Sequence, residues 1–202
     1  MKLTVRWDNN HREREHRVIR GARVILIVFG ILALGLCALA YLGALTSQLY
    51  EQREFERSLA MPEAVRPPRE ANAVSRLEIP RLGISVMVHE GVQSRTLSLG
   101  AGHIPGTANP QDDGNIGIAA HRDTYFRGLR KIREQDAVFL STLEGTYQYS
   151  VEWIKIVKPS DNEVLASSDE PVLTLVTCYP FYYVGSAPDR FVVRARRIGW
   201  TQ

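Results

Sequence analysis

The sequence predicts a mainly β domain, a compact barrel or sandwich, carried behind one membrane-spanning helix. Three observations lead there. Seven segments after residue 74 are short and rich in β-branched or aromatic residues, and clusters of Gly, Pro, Asn and Asp separate them. No recurring alternation of strand and helix patterns runs through them, which disfavours a parallel α/β sheet. Ahead of them, Val24 to Leu45 is an unbroken run without a charge or a strongly polar side chain.

In chain order, residues 1–23 read as a basic cytoplasmic tail. Of 25 Lys or Arg and 22 Asp or Glu, seven basic but only three acidic residues lie within residues 1–45. The remainder is close to neutral, so the basic pI belongs to the tail and a nucleic-acid partner for the main domain has little support. Residues 24–45 form the transmembrane helix: at about 1.5 Å per residue they reach roughly 33 Å, enough for a hydrocarbon core of about 30 Å. A cleaved signal peptide is the competing reading, with Ala38-Leu39-Ala40 as a small-residue site. The apolar run continues past that site, and the polar region before it is long, which suits an uncleaved anchor better. Arginines crowd the N-terminal flank, so the N-terminus is expected in the cytoplasm and everything after residue 46 outside it.

Residues 46–74 are the extracytoplasmic stalk and linker. Gln48 to Ala60 is compatible with a short helix, and Pro62, Pro67 and Pro68 then mark a stiff extended segment. Residues 75–202 form the globular domain. Its strand candidates are SRLEIP, ISVMVHEG, GNIGIAAH, DAVFLSTL, TYQYSVEWIKIVKP, PVLTLVTC and RFVVRARRIG, with YFRGLRKIRE as a short helix.

Cys178 ends the apolar segment PVLTLVTC, and Pro180 prevents that strand from continuing as a central one. Outside the span this is the only cysteine, so in an oxidising compartment it has no partner within the chain. If the strands before and after GSAPD pair as an antiparallel hairpin, Arg190 comes to lie beside Cys178. A thiol attacks carbonyls as thiolate and needs a basic or cationic neighbour. Three histidines are available, His89, His103 and His121. His121 ends a buried strand as Cys178 does; spacing alone does not decide among the three.

The segment TLVTC, followed twelve residues later by Arg190, together with GTANPQDDGNIGIAAHRDTYFRGL, resembles the signature segments of the sortase transpeptidases. The likeness covers most of residues 75–199 in the right order; CYPFYYVGSAPDR and AGHIPGTANP are most similar to class D, with class E next. The resemblance implies a closed sortase-type barrel of about eight strands with short helices. It implies that Cys178 is the nucleophile that opens an LPxTG-like motif between Thr and Gly. His121 would serve as the acid and base, and Arg190 as the oxyanion donor. Thr177 and Ala120, each just before a catalytic residue, are expected to bind substrate, although packing explains Thr177 nearly as well.

The resemblance also implies that residues 160–171 wall the substrate groove. No cofactor is required, with calcium on the acids of that loop as an option found in some of the family. The implied partners are exported proteins with a C-terminal LPxTG-like sorting signal and an amine acceptor, a cell-wall precursor or a pilin lysine. The alternative from another class is a catalytically inactive, membrane-tethered binding module with the same fold. The presence of all three catalytic residue types argues against it. HExxH, CxxC, P-loop and GxSxG motifs are absent from the sequence, leaving metallopeptidase, zinc, NTPase and serine-hydrolase readings without support.

Overall fold

The computed structural model describes residues 9–60, 75–110 and 112–201. The proline-rich linker expected at 61–74 lies outside the described residues. The chain divides into two compact units, Met1–Leu45 and Thr46–Gln202.

One helix, α1 (Asn9–Ala60), runs without interruption through tail, apolar segment and stalk. The helix expected over Gln48–Ala60 is its C-terminal part, and TSQLYEQREFERSLA contains neither Gly nor Pro, so nothing in it breaks the helix. Within the first unit Ile19–Gly43 is long and apolar enough to cross a membrane, and its apolar side chains are exposed on every side. A helix apolar all round suits lipid rather than water, and it fits a single-pass anchor. Within the second unit α1 buries Phe55 and leaves Arg53, Glu54, Glu56 and Arg57 exposed. Phe55 is buried under the Arg76 guanidinium, 5.8 Å from its ring centroid, and Arg76 also pairs with Glu56 at 3.2 Å.

The second unit is a closed eight-stranded barrel. Its strands are β1 (Ser75–Ile79), β2 (Ile84–Glu90), β3 (Ala101–His103), β4 (Asn115–Ala119), β5 (Ala137–Ser141), β6 (Thr146–Val157), β7 (Val172–Tyr179) and β8 (Asp189–Thr201). They close in the order β1-β2-β3-β4-β7-β8-β6-β5, which leaves no unpaired sheet edge. The pairs β2–β3 and β4–β7 are parallel and the rest antiparallel. Alternation along each strand sends Leu77, Ile79, Val86, Ile116, Ile118, Leu140, Tyr149, Leu173, Leu175, Val193 and Ala195 into the barrel core. Tyr149 is buried deeply enough that desolvation pushes its phenol well above the usual tyrosine range.

Two elements escaped the strand and helix patterns: β3, only three residues long, and α2 (Ser94–Leu99). The expected helix in YFRGLRKIRE is a 3-10 turn, Arg127–Lys131. Phe126 and Leu129 bury completely there and anchor the segment that follows β4. From the other side Arg81 donates to both carboxylate oxygens of Asp136 and to the Lys131 carbonyl at 2.7 Å. Those bonds hold the Asp136 carboxyl below the usual carboxylate range.

Candidate active site

β7 is buried on both faces through Val172–Leu175. Leu173 and Leu175 point into the core, so the alternate residues Thr174, Val176 and Cys178 point outward. On β4, Ile116 and Ile118 take the core, which turns Asn115, Gly117 and Ala119 to that same outer face.

The ends of three neighbouring strands meet here. Cys178 is directly opposite Arg190 in the antiparallel β7–β8 pair, the register that the hairpin argument requires. β4 runs parallel to β7 with Ala119 beside Val176. Two further bonds carry the pairing past the strand end: Ala120 N–H donates to the Val176 carbonyl at 3.3 Å, and the Thr177 hydroxyl donates to the Ala120 carbonyl at 2.7 Å. His121 therefore follows at the level of Cys178. Arg190 thus lies on the next strand, about 4.8 Å away, while His121 comes two residues after the end of β4 on the other side of β7. Cys178 is a free, half-buried thiol, Arg190 is half-buried, and His121 is exposed.

Thr177 and Ala120, expected to bind substrate, are 3% and 4% exposed and lie on the core side, bonded to each other. On the outer face their neighbours Ala119 and Val176 are half-buried. His103 is buried with its two ring nitrogens 2.8 Å from a Glu90 carboxylate oxygen and 2.8 Å from the Ala108 carbonyl. It fastens the loop after β3. His89 stands on β2 beside Gly102, two strands away from β4 in the barrel order.

Three loops border the outer face. Ile104–Ala108 lies directly on β4: Gly117 N–H donates to the Thr107 hydroxyl oxygen at 3.0 Å, and a Cβ on Gly117 would come within 3.0 Å of Thr107 Cγ2. The β6–β7 loop, residues 158–171, is tied to β4 by Asn115. The β7–β8 loop, residues 180–188, is tied to the segment after His121. Arg122 Nη2 donates to the carbonyls of Tyr183 (2.7 Å) and Gly185 (3.1 Å), and the guanidinium lies 5.9 Å from the Tyr183 ring centroid. Arg130 covers Tyr182 in the same way at 5.3 Å. The Arg190 guanidinium bonds through Nη1 to two carbonyls at the end of this loop, Ala187 (3.4 Å) and Asp189 (3.1 Å). Sequence reading passed over Asn115, Thr174 and Arg122. Their signals were a polar residue heading an apolar strand, a hydroxyl inside another, and an arginine directly after the histidine.

The acids of residues 160–171 do not gather into a cation site. Among the described residues no group of three or more His, Cys, Asp or Glu side chains is placed to hold a metal.

A Sortase domain model matches residues 77–198. Sortase D of Bacillus subtilis (strain 168) is 33% identical over 132 residues, covering 65% of this chain and 67% of its own. Among solved structures, a Clostridium perfringens Sortase D5 transpeptidase superposes with a TM-score of 0.64 at 27% identity, over 76% of this chain and 97% of that one. A pilus-related Sortase C of Group B Streptococcus gives a TM-score of 0.60 at 27% identity, over 69% and 74%. The closed barrel is thus a shared architecture, and this chain belongs to the sortase family of cysteine transpeptidases.

Proposed function

We propose that the protein is a membrane-anchored transpeptidase that opens an LPxTG-like sorting motif between Thr and Gly and passes the acyl group to an amine. What supports this reading is the register that sets Arg190 of β8 opposite Cys178 of β7, with His121 two residues past the end of β4, the strand on the other side of β7. The Cys178 thiolate attacks the Thr carbonyl carbon. As the C–S bond forms, negative charge develops on the carbonyl oxygen, where Arg190 donates; a fixed donor at that position is worth most in the transition state. The C–N bond to Gly breaks as protonated His121 gives its proton to the departing amine. The acceptor amine then loses a proton to His121 and attacks the thioester, and the C–S bond breaks to return the thiolate.

In this reading Thr177 and Ala120 hold the ends of β7 and β4 together and so fix the spacing of nucleophile and acid. The apolar span Ile19–Gly43 serves as the anchor, and the arginines at its N-terminal side favour a cytoplasmic N-terminus with the barrel outside. The acyl donors are exported proteins ending in an LPxTG-like signal, and the acceptor is a cell-wall precursor or a pilin lysine.

Steady-state cleavage of a fluorogenic LPxTG-like peptide, with and without added amine, tests the reading. Cys178→Ala and His121→Ala each lose at least about a thousandfold in kcat/KM, in line with removing one member of a unit that acts together. In the wild type the amine appears in the product. Retained cleavage in Cys178→Ala would sink the mechanism.

A further inference from the structure

Four residues before Cys178 a buried hydroxyl sits on the outer face of β7. Its partner is an amide at the head of the neighbouring strand. Thr174 and Asn115 are 0% and 2% exposed. Polar side chains buried so far destabilise a fold unless they are hydrogen-bonded. The Thr174 hydroxyl donates to Asn115 Oδ1 at 2.6 Å, which fixes the orientation of the amide. Asn115 Nδ2 then donates to the carbonyls of Val164 at 3.1 Å and Ala166 at 2.9 Å. These carbonyls belong to a short 3-10 turn, Glu163–Leu165, and the residue that ends it, in the middle of the β6–β7 loop. Further along that loop, Arg194 Nη2 donates to Ser168 Oγ at 3.4 Å, from a position on β8 opposite Thr174. The loop is thereby fastened from β4 and from β8 onto the face where Cys178 opens.

We propose that Asn115, oriented by Thr174, is a positioning residue that keeps the β6–β7 loop as a preformed wall beside Cys178. The pair thus governs KM for the acyl donor and leaves the chemical step alone. The proposal rests on the transpeptidase reading above. A wall that is loose in the free enzyme must be ordered by each substrate as it binds, and that ordering weakens apparent affinity. Neither side chain is at the strand ends where His121, Cys178 and Arg190 meet, so its loss removes binding that is uniform between ground and transition states.

The test compares full-length wild type, Thr174→Val, Thr174→Ser and Asn115→Ala in detergent micelles. Thr174→Val and Asn115→Ala raise KM for the LPxTG-like peptide about tenfold, the effect of about one lost hydrogen bond, while kcat stays within about twofold. Thr174→Ser, which keeps the hydroxyl, behaves as wild type. In the two clamp-breaking variants the backbone amides of Leu165 and Ala166 exchange with deuterium at least about tenfold faster. Alkylation of Cys178 by iodoacetamide stays within about twofold, which establishes that the strand end is intact. Should Asn115→Ala not fold, the near-isosteric Thr174→Val decides. Unchanged exchange at Leu165 and Ala166 in Thr174→Val overturns the clamp. Faster exchange with a fall in kcat at unchanged KM overturns its assignment to donor binding. If the wild type does not turn the peptide over, the transpeptidase reading falls, and the exchange measurement still decides the clamp.

Discussion

The two loops beside Cys178 are held by different chemistry. Residues 158–171 are pinned from beneath by a neutral, buried network, Thr174 to Asn115 to two carbonyls. Residues 180–188 are held from the flank by arginine side chains, with Tyr182 75% exposed on Arg130. The first loop also has backbone bonds of its own, Leu165 N–H to the Asn162 carbonyl and Ala166 N–H to the Glu163 carbonyl, both 3.0 Å. Hydrogen bonds sheltered from water hold their geometry, whereas exposed cation–π contacts contribute little each. The difference suits a fixed wall for substrate and a more yielding strap between nucleophile and arginine.

Arg122→Ala is the largest expected break in this contrast. It frees the strap whose end carbonyls hold Arg190, so kcat for the LPxTG-like peptide falls about tenfold to a hundredfold with KM changed by less than about threefold, the scale of losing two hydrogen bonds from a charged donor. Steady-state kinetics checks it; a pure KM effect would mean that both loops do the same work. Next, in the wild type the amides of residues 182–187 exchange at least about tenfold faster than those of Leu165 and Ala166, measured by hydrogen exchange. Equal protection removes the contrast. Tyr182→Ala, which deletes one exposed contact with Arg130, costs about two- to fivefold in kcat/KM.

The smallest effect at neutral pH is expected from Asp136→Asn, behind the segment that carries His121. Hydrogen bonds from Arg81 lower the pKa of this carboxyl in the folded state. Its ionisation therefore contributes stability that is fully present above the ordinary value of about 3.9 and lost as pH falls through the depressed one. The gap in Tm between wild type and Asp136→Asn narrows as pH is lowered through that range, as thermal unfolding across pH 2 to 7 shows; a constant gap contradicts the assignment. Activity at neutral pH stays within about twofold of wild type, because the bonds of Asp136 go to Arg81 and Arg133 and to none of His121, Cys178 and Arg190.

The meeting of Cys178 and Arg190 was legible in the sequence because a hairpin brings the residues that flank its turn together. Spacing did not separate His121 from His89 and His103, since all three end or closely follow a strand, and His121 came from the family resemblance. Ala120 shows how local the uncertainty is: strand side chains alternate, so a one-residue change of phase exchanges the core face for the outer one, and Ile116 and Ile118 put Ala120 on the core side. The loop fastenings were hidden for another reason. Asn115 and Val164 are 49 residues apart, and Arg122 and Tyr183 are 61 apart. No local pattern records a bond of that span. The continuous α1, by contrast, follows from the lack of any Gly or Pro between Leu45 and Met61.

The most direct measurement is mass spectrometry of the full-length protein mixed with an LPxTG-like peptide, followed by addition of an amine. The expected result is an acyl adduct, lighter than the peptide by its Gly-side fragment, on the fragment that contains Cys178, discharged by the amine into a new peptide–amine product. An adduct elsewhere, or product formed by Cys178→Ala, contradicts the assignment of Cys178 as the carrier of the acyl group between His121 and Arg190.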